Sequence, residues 1–204
     1  MILCAGWVTE AFSHTMTDLE LQDQQLRAEA DALLLRHGLL GILRQFGTPH
    51  LSGSYSLQLM TWRDLDIYLE MRPLNTERFM DLGRQLGREL KPRQLSFTDH
   101  LNFPTTEALS GLYWGIRTDE LYRGGWKLDV WGVTAEVCAE RLACCEALES
   151  DLSPETRLSI LKIKNEICRL PEYRKEITSK HIYDAVVSGR ATSIEEFWTY
   201  LQGR

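Results

Sequence analysis

Three aspartates and a glycine–serine pair are the residues of this chain whose types and spacing point to chemistry. Gly53 and Ser54 come first, Asp64 and Asp66 follow within one short segment, and Asp129 lies further along the chain. Because successive side chains of a β-strand point to opposite faces, a strand through Asp64 would carry both neighbouring carboxylates on one face. Carboxylates about 6 to 7 Å apart repel each other, and a hard divalent cation is the simplest compensation. The pattern therefore indicates a metal site.

The glycine–serine pair adds a phosphate-binding element to this pattern. We expect it at the junction between a strand and a short helix, where backbone amides, a hydroxyl and the positive end of a helix suit a phosphate group. A purely structural explanation stays open at this point. Asp64 and Asp66 would then be ordinary solvated acids on a strand. Asp129 would be the partner of a nearby lysine or arginine in an ion pair.

Periodicity and turn residues predict the elements that position these residues. Apolar residues at helical spacing predict one long helix or two shorter ones over residues 17–46, a brief helix over 55–60 and an amphipathic helix over 76–90. The predicted strands cover residues 64–70, 94–103, 111–118 and 125–133. Beyond residue 134 the period is helical, with helix starts marked by Ser153-Pro154 and by Ser193, which has Glu196 three residues later.

The glycine–serine pair, the Asp64-Leu65-Asp66 motif and Asp129 together resemble the active-site pattern of the polymerase-beta-like nucleotidyltransferase superfamily. The resemblance covers roughly residues 40–133 and extends to the order of elements: helix, short strand, Gly-Ser, helix, acidic strand, then further strands with one more aspartate. It implies an α+β fold, in which a mixed nucleotidyltransferase-type sheet with flanking helices is followed by a C-terminal helical module.

The resemblance also implies a role for each residue. Gly53, Ser54 and nearby amides would hold the terminal phosphates of a nucleoside triphosphate, which we expect to be ATP. Asp64 and Asp66 would coordinate magnesium, and Asp129 would be the third catalytic acid, which helps to bind a second Mg²⁺ or deprotonates the acceptor. In-line displacement at the alpha phosphate would then move a nucleoside monophosphate to a hydroxyl or phosphate of the acceptor and release pyrophosphate.

Two basic residues near the acids affect this hypothesis. Alternation places Lys127 on the same strand face as Asp129, which predicts that its ammonium group faces the nucleotide or a metal-bound water. Arg63, directly before the first aspartate, departs from the pattern, because many relatives carry a small hydroxyl residue there. If its guanidinium paired with the acids it would weaken metal binding.

Composition limits the class of partner. The formal net charge is −6 and the isoelectric point is about 5.4, whereas proteins that mainly bind nucleic acid usually show a basic face. We therefore expect a small-molecule acceptor and regard nucleic acid as the less favoured partner. No apolar run is long enough to predict a membrane span. The sequence does not predict an oligomeric state.

Cysteine and histidine usage adds little chemistry at the level of sequence. The five cysteines are odd in number and form no Cys-x-x-Cys pair, which argues against a disulfide framework and a zinc site and favours a reducing cytoplasm. A lone histidine is more often structural than a ligand, so no role is assigned to His50 or His100. Of the tryptophans, Trp114 is predicted to lie in the core.

The chain is predicted to contain three parts. Residues 1–16 are expected to form a flexible leader, residues 17–134 a nucleotidyltransferase-like catalytic domain, and residues 135–204 the C-terminal helical module. Two functional alternatives remain beside the enzyme hypothesis. One is a catalytically silent member of the superfamily that serves as a binding or regulatory module, and the other is a toxin–antitoxin-type enzyme that nucleotidylates a protein or a tRNA.

Overall fold

A five-stranded mixed sheet forms the centre of the protein in the computed structural model, which describes residues 16–106, 109–119, 124–173 and 175–203. The strands are β1 Thr48–Ser52, β2 Asp64–Glu70, β3 Gln94–Asp99, β4 Leu112–Arg117 and β5 Lys127–Val133. Their order across the sheet is β1-β2-β5-β4-β3, with β2 and β5 parallel and the other neighbours antiparallel. This arrangement confirms the α+β fold class. The predicted leader lies almost entirely outside the described residues.

Helices flank the sheet and form the last third of the chain. They are α1 Asp18–Asp31, the π-helical segment Ala32–Arg36, α2 Leu39–Leu43, α3 Gly53–Ser56, α4 Thr76–Leu90, α5 Ala135–Ser150, α6 Pro154–Ile167, α7 Ser179–Val187 and α8 Ile194–Gln202. Ser153 accepts a hydrogen bond from the Thr156 amide, with Pro154 in the first turn, so the predicted start of α6 is confirmed. No helix among the described residues is long and apolar enough to cross a membrane.

Alternation along β2 and β5 separates an apolar face from a polar face. Leu65, Ile67, Leu128 and Val130 are fully buried and pack with α1, α2 and α4 in one hydrophobic cluster. The aspartates of the same two strands point to the other face. One face of the sheet therefore packs in the hydrophobic core, and the other face carries the aspartates.

Two tryptophans are buried in the core, and one of them, Trp114, packs under α4. A Cβ at Gly83 would lie 2.1 Å from the ring of Trp114, so only glycine lets the helix approach this side chain. Trp114 is buried and its indole nitrogen donates to the Phe79 carbonyl at 2.9 Å, which confirms its predicted place in the core. Trp126 is also buried, although the sequence singled out Trp114 alone. Its backbone amide is held by the Thr118 hydroxyl beside the strand pair β4–β5.

A second hydrophobic cluster joins α6, α7 and α8 to the segment that follows α3. It includes Leu57 and Leu59 as well as Ile160, Ile182 and Phe197. The helical region thus packs directly on the loop that leads into β2. The division into a catalytic domain and a helical module at residues 134 and 135 remains a prediction.

Two predicted elements differ clearly from the structure. The helix expected over residues 55–60 begins at Gly53 instead, and it ends early because Gln58 has a left-handed φ of 59°. The strand expected over 94–103 stops at Asp99, whose carboxylate accepts hydrogen bonds from the Leu101 and Asn102 amides and so forms a turn. The helical region 17–46 is interrupted at Gly38, where φ is +75°, which agrees with the predicted alternative of two shorter helices.

Candidate active site

The predicted acids meet on two adjacent parallel strands. In the register of β2 with β5, Asp66 lies opposite Asp129 and Asp64 lies opposite Lys127. Because all four occupy alternate positions on one face, the carboxylates of Asp64, Asp66 and Asp129 come within 4.8 Å of one another. Parallel pairing thereby brings together residues that lie far apart in the sequence.

The glycine–serine pair lies directly against these acids. Gly53 follows β1 without a linking loop and has a φ of +64°, a conformation that favours glycine. A Cβ at this position would lie 2.3 Å from Oδ2 of Asp66, so the site also requires glycine for space. Ser54, the next residue, is buried in the first turn of α3. The backbone at the start of α3 and the Asp66 carboxylate thus form one continuous surface.

Lys127 lies between two of the acids. Its Nζ donates to Oδ1 of Asp64 at 3.1 Å and forms a very close ion pair with Asp129. Asp129 also accepts a hydrogen bond from the Tyr113 hydroxyl at 2.9 Å. The ion pair weighed as a structural alternative for Asp129 is therefore present, and it lies inside the acidic cluster. The predicted contact of Lys127 with nucleotide remains a prediction.

Arg63 turns away from the acids. Its Nε and NH2 groups donate to the two carboxylate oxygens of Glu29 on α1, at 2.7 and 3.2 Å. This bidentate pair holds the guanidinium on Glu29. The departure from the superfamily pattern at this position therefore does not neutralise the acids.

The nearby lysines do not fully compensate the negative charge of the acidic cluster. Burial, together with the charges of Asp64 and Asp129, raises the pKa of the Asp66 carboxyl to about 7, although Lys127 and Lys164 act in the opposite direction. A carboxyl is held partly protonated at neutral pH only where compensation is incomplete. Three clustered carboxylate oxygens with uncompensated charge suit a hard, oxygen-binding divalent cation such as Mg²⁺. The donor set thus fits the metal that the superfamily pattern implies.

Comparisons with solved structures agree with this geometry. The chain superposes on the RNA terminal uridylyl transferase Cid1 with a TM-score of 0.53 and 13% identity, over 80% of this chain and 47% of that one. It superposes on the Cid1 poly(U) polymerase bound to MgATP with a TM-score of 0.52 and 13% identity, over 84% and 50% of the two chains. The chain has the polymerase-beta-like nucleotidyltransferase fold.

A further solved nucleotidyltransferase shows the same likeness. Terminal uridylyl transferase 4 from Trypanosoma brucei, with bound dUTP, matches with a TM-score of 0.50 and 11% identity, over 84% of this chain and 58% of that one. The chain spans about half the length of the solved structures that it matches. No protein-family profile and no curated protein matches the sequence.

Behind the acids of this nucleotidyltransferase fold lies a buried lysine that the sequence reasoning missed. Lys164 of α6 is 1% exposed, and its Nζ donates to the Leu59 carbonyl at 2.8 Å and lies 5.9 Å from the centre of the Tyr183 ring. Burial lowers the pKa of Lys164, while the charges of Asp64 and Asp66 oppose that shift. The signal was available, because Lys164 interrupts the apolar stripe of α6 at helical spacing.

A cleft of about 400 Å³ opens at the start of β2 and β5, and its lining shares Lys127 with the acidic cluster. Three arginines and one lysine line it together with Trp62: Arg63, Arg93, Arg117 and Lys127. Arg63 is paired with Glu29 and Arg93 with Asp119 at 3.2 Å. A smaller pocket of about 120 Å³, lined by Tyr113, Arg117, Lys127 and Asp129, lies next to it. Basic side chains therefore line the smaller pocket beside Asp129, although the whole chain is acidic.

Proposed function

We propose that this protein is a metal-dependent nucleotidyltransferase that moves a nucleoside monophosphate from a nucleoside triphosphate to a hydroxyl or phosphate group of an acceptor. The observation that carries the proposal is the meeting of Asp64, Asp66 and Asp129 on adjacent parallel strands, directly against Gly53. A surface aspartate pair would need neither this third acid nor a glycine packed against its carboxylate. The fold shared with terminal uridylyl transferases supports the same activity.

Each residue of the cluster has a distinct part in this proposal. Asp64, Asp66 and Asp129 would hold Mg²⁺, which when bound neutralises negative charge on the phosphates and lowers the barrier to displacement. Gly53 and Ser54 present backbone amides and a hydroxyl to the terminal phosphates. Asp129, which accepts a hydrogen bond from the Tyr113 hydroxyl, is placed to accept the proton of the attacking acceptor hydroxyl.

Two lysines balance the charge of the site. Lys127 compensates Asp64 and Asp129 before nucleotide arrives, and its ammonium group is then available to the triphosphate. Lys164, which is buried, adds a second positive charge that acts on Asp66. We propose that ATP is the donor, in keeping with the expectation from the superfamily pattern.

The basic lining of the cleft bears on the acceptor. A small acceptor remains the prediction from the acidic composition, and Arg117 and Lys127 beside Asp129 favour one that carries phosphate. An RNA end, including that of the tRNA in the toxin–antitoxin alternative, also carries phosphate and a hydroxyl group. The names of the structural neighbours, which refer to RNA terminal uridylyl transfer, support keeping nucleic acid in the test.

Calorimetric titration of ATP, GTP, CTP and UTP in the presence of Mg²⁺ is the first test. The Asp64→Asn/Asp66→Asn variant should lose Mg²⁺-dependent binding, whereas Asp81→Asn, which changes an exposed carboxyl on α4, should keep it. Pyrophosphate release is then measured with small phosphorylated acceptors and with RNA. Binding without release from any acceptor would favour the catalytically silent alternative, and absence of Mg²⁺-dependent binding would contradict the nucleotide site itself.

A further inference from the structure

A second group of metal-type ligands lies on the polar face of the sheet, at the far end of β2 from the aspartates. Single ligand atoms of His50, Glu70 and Cys138 lie within 4.8 Å of one another. Glu70 is four residues beyond Asp66 on the same strand face, about 13 Å away along the strand. The three ligands come from β1, β2 and the first turns of α5, so the group is distinct from the acidic cluster.

The histidine in this group has a buried nitrogen without a hydrogen bond. Nε2 of His50 is shielded from solvent and forms no hydrogen bond within the described part of the chain, although it lies 3.5 Å from Oε2 of Glu70. A buried polar atom in that state costs free energy unless some group satisfies it. The missing partner is therefore expected at the point towards which His50 and Glu70 converge.

Glu70 and Cys138 each place a donor atom close to the His50 ring. Oε1 of Glu70 accepts a hydrogen bond from Arg72 at 2.6 Å, so the second oxygen, Oε2, is the one that faces the histidine. Cys138 is 1% exposed and is a free thiol. Arg72 thus orients the carboxylate from outside, in the manner of the hydrogen-bonding partners that orient metal ligands in proteins.

One nitrogen, one oxygen and one sulfur donor select a particular class of cation. Mg²⁺ and Ca²⁺ prefer oxygen ligands, whereas zinc binds imidazole, carboxylate and thiolate together. Ligands about 2.0 to 2.3 Å from zinc lie about 3.3 to 3.8 Å from one another, so a contraction of about 1 Å would close the group around an ion.

We propose that His50, Glu70 and Cys138 bind one zinc-class divalent cation, which fixes the start of α5 to the sheet. The Cys138 thiol becomes a thiolate ligand and releases its proton to solvent. The fourth position is open to water, because the His50 and Glu70 side chains remain 29% and 18% exposed. Cysteine spacing could not reveal such a site, since its ligands come from three distant segments and include a single cysteine.

Cobalt titration of the chelator-treated full chain tests the proposal. One equivalent of Co²⁺ should produce a thiolate-to-cobalt charge-transfer absorption band, and Zn²⁺ should displace it. Cys138→Ser should abolish the band, whereas Cys144→Ser, which changes an exposed thiol on the same helix, should keep it. Asp64→Asn should also keep the band, which separates this site from the acidic cluster and makes the result independent of nucleotidyl transfer.

Two results would overturn the proposal. One is the absence of a charge-transfer band in the wild-type protein, and the other is a band that persists in Cys138→Ser. If circular dichroism shows that Cys138→Ser is unfolded, His50→Gln takes its place. That variant keeps the thiol and should bind Co²⁺ at least about tenfold more weakly. Unchanged cobalt affinity in folded His50→Gln would leave the His50–Glu70 contact as an ordinary ion pair.

Discussion

Gly53 and Asp66 are packed so closely that a methyl group cannot be placed between them. A Cβ at position 53 would lie 2.3 Å from Oδ2 of Asp66, and the φ of +64° independently favours glycine. The start of α3, which is proposed to hold phosphate, is therefore built on the carboxylate that is proposed to hold the metal. Any displacement of one displaces the other.

Gly53→Ala should consequently lose Mg²⁺-dependent nucleotide binding. The left-handed backbone alone costs an alanine about 1 to 2 kcal/mol in free energy of unfolding, and the contact with Asp66 adds to this. Gly41→Ala is the matched control, because a Cβ there meets nothing within 4 Å and lies in α2. Urea unfolding and calorimetry check both variants. Nucleotide affinity in Gly53→Ala equal to that of the wild-type protein would contradict the proposed link.

Asp66 should make the metal-free protein less stable as pH rises. Its pKa is raised from 3.8 to about 7, so between about pH 4 and pH 7 the folded protein binds one more proton than the unfolded chain. The free energy of unfolding therefore decreases with pH across that range. Asp66→Asn removes this dependence, and without divalent cation at pH 8 its Tm should exceed that of the wild-type protein by at least about 2 to 4 °C.

Added Mg²⁺ should narrow that difference in stability. Binding to the folded state alone stabilises the wild-type protein by about 2.7 kcal/mol at one hundred times the Kd, while Asp66→Asn lacks a metal ligand and gains little. Thermal unfolding scans from pH 4 to pH 8, with and without Mg²⁺, measure both effects. A Tm for Asp66→Asn below that of the wild-type protein at pH 8 without metal would show that the carboxylate is compensated already.

The acidic site was open to prediction from the sequence because its signals are local. Asp64 and Asp66 alternate with buried residues on one strand, and Gly53 and Ser54 precede that strand, with nine residues between Ser54 and Asp64. The resemblance in the order of elements then implied that Asp129, on a later strand, is the third acid of the same site. These are relationships of spacing and face, which a β-strand preserves whatever its neighbours are.

The remaining parts depend on contacts between distant segments. The sequence left open whether Arg63 pairs with the acids, and its partner is Glu29 on α1, which no local pattern indicates. Lys164 contacts the Leu59 carbonyl across two elements. The early end of α3 depends on the left-handed Gln58, a residue type that does not signal a helix end. Sequence periodicity identifies faces, but it does not pair the faces of remote elements.

Lys127→Met should separate metal binding from nucleotide binding. Lys127 and a divalent cation carry the same sign of charge and compete for Asp64 and Asp129. Without the ammonium group, Mg²⁺ alone should bind about fivefold more tightly, which corresponds to about 1 kcal/mol for such an ion pair. Nucleoside triphosphate should bind more weakly because a phosphate contact is lost.

Separate calorimetric titrations of Mg²⁺ and of ATP test this separation. Lys180→Met serves as the control, since that lysine is also ion-paired, with Asp184, but is exposed on α7. Weaker binding of both Mg²⁺ and ATP by Lys127→Met would mean that the lysine supports the architecture of the site and does not compete with the cation.

Lys164→Met should shift the pH dependence of metal binding. The Lys164 charge lowers the pKa of Asp66, so its removal should raise that pKa and move the midpoint of Mg²⁺ binding to higher pH.

The pH dependence of stability should also change in Lys164→Met. Because burial lowers the pKa of Lys164 itself, the wild-type folded protein binds fewer protons than the unfolded chain at alkaline pH. Its free energy of unfolding should therefore rise towards pH 10, and methionine should remove that rise.

Lys162→Met is the appropriate control, because Lys162 is two residues away on α6 and exposed. Mg²⁺ titrations between pH 6 and pH 9 and urea unfolding over the same range measure the two effects separately. A methionine also leaves the Leu59 carbonyl unpaired, which costs about 1 to 3 kcal/mol at every pH. A uniform loss of stability with an unchanged pH midpoint would therefore assign Lys164 to packing alone, whereas a shifted midpoint requires that its charge acts on the acids.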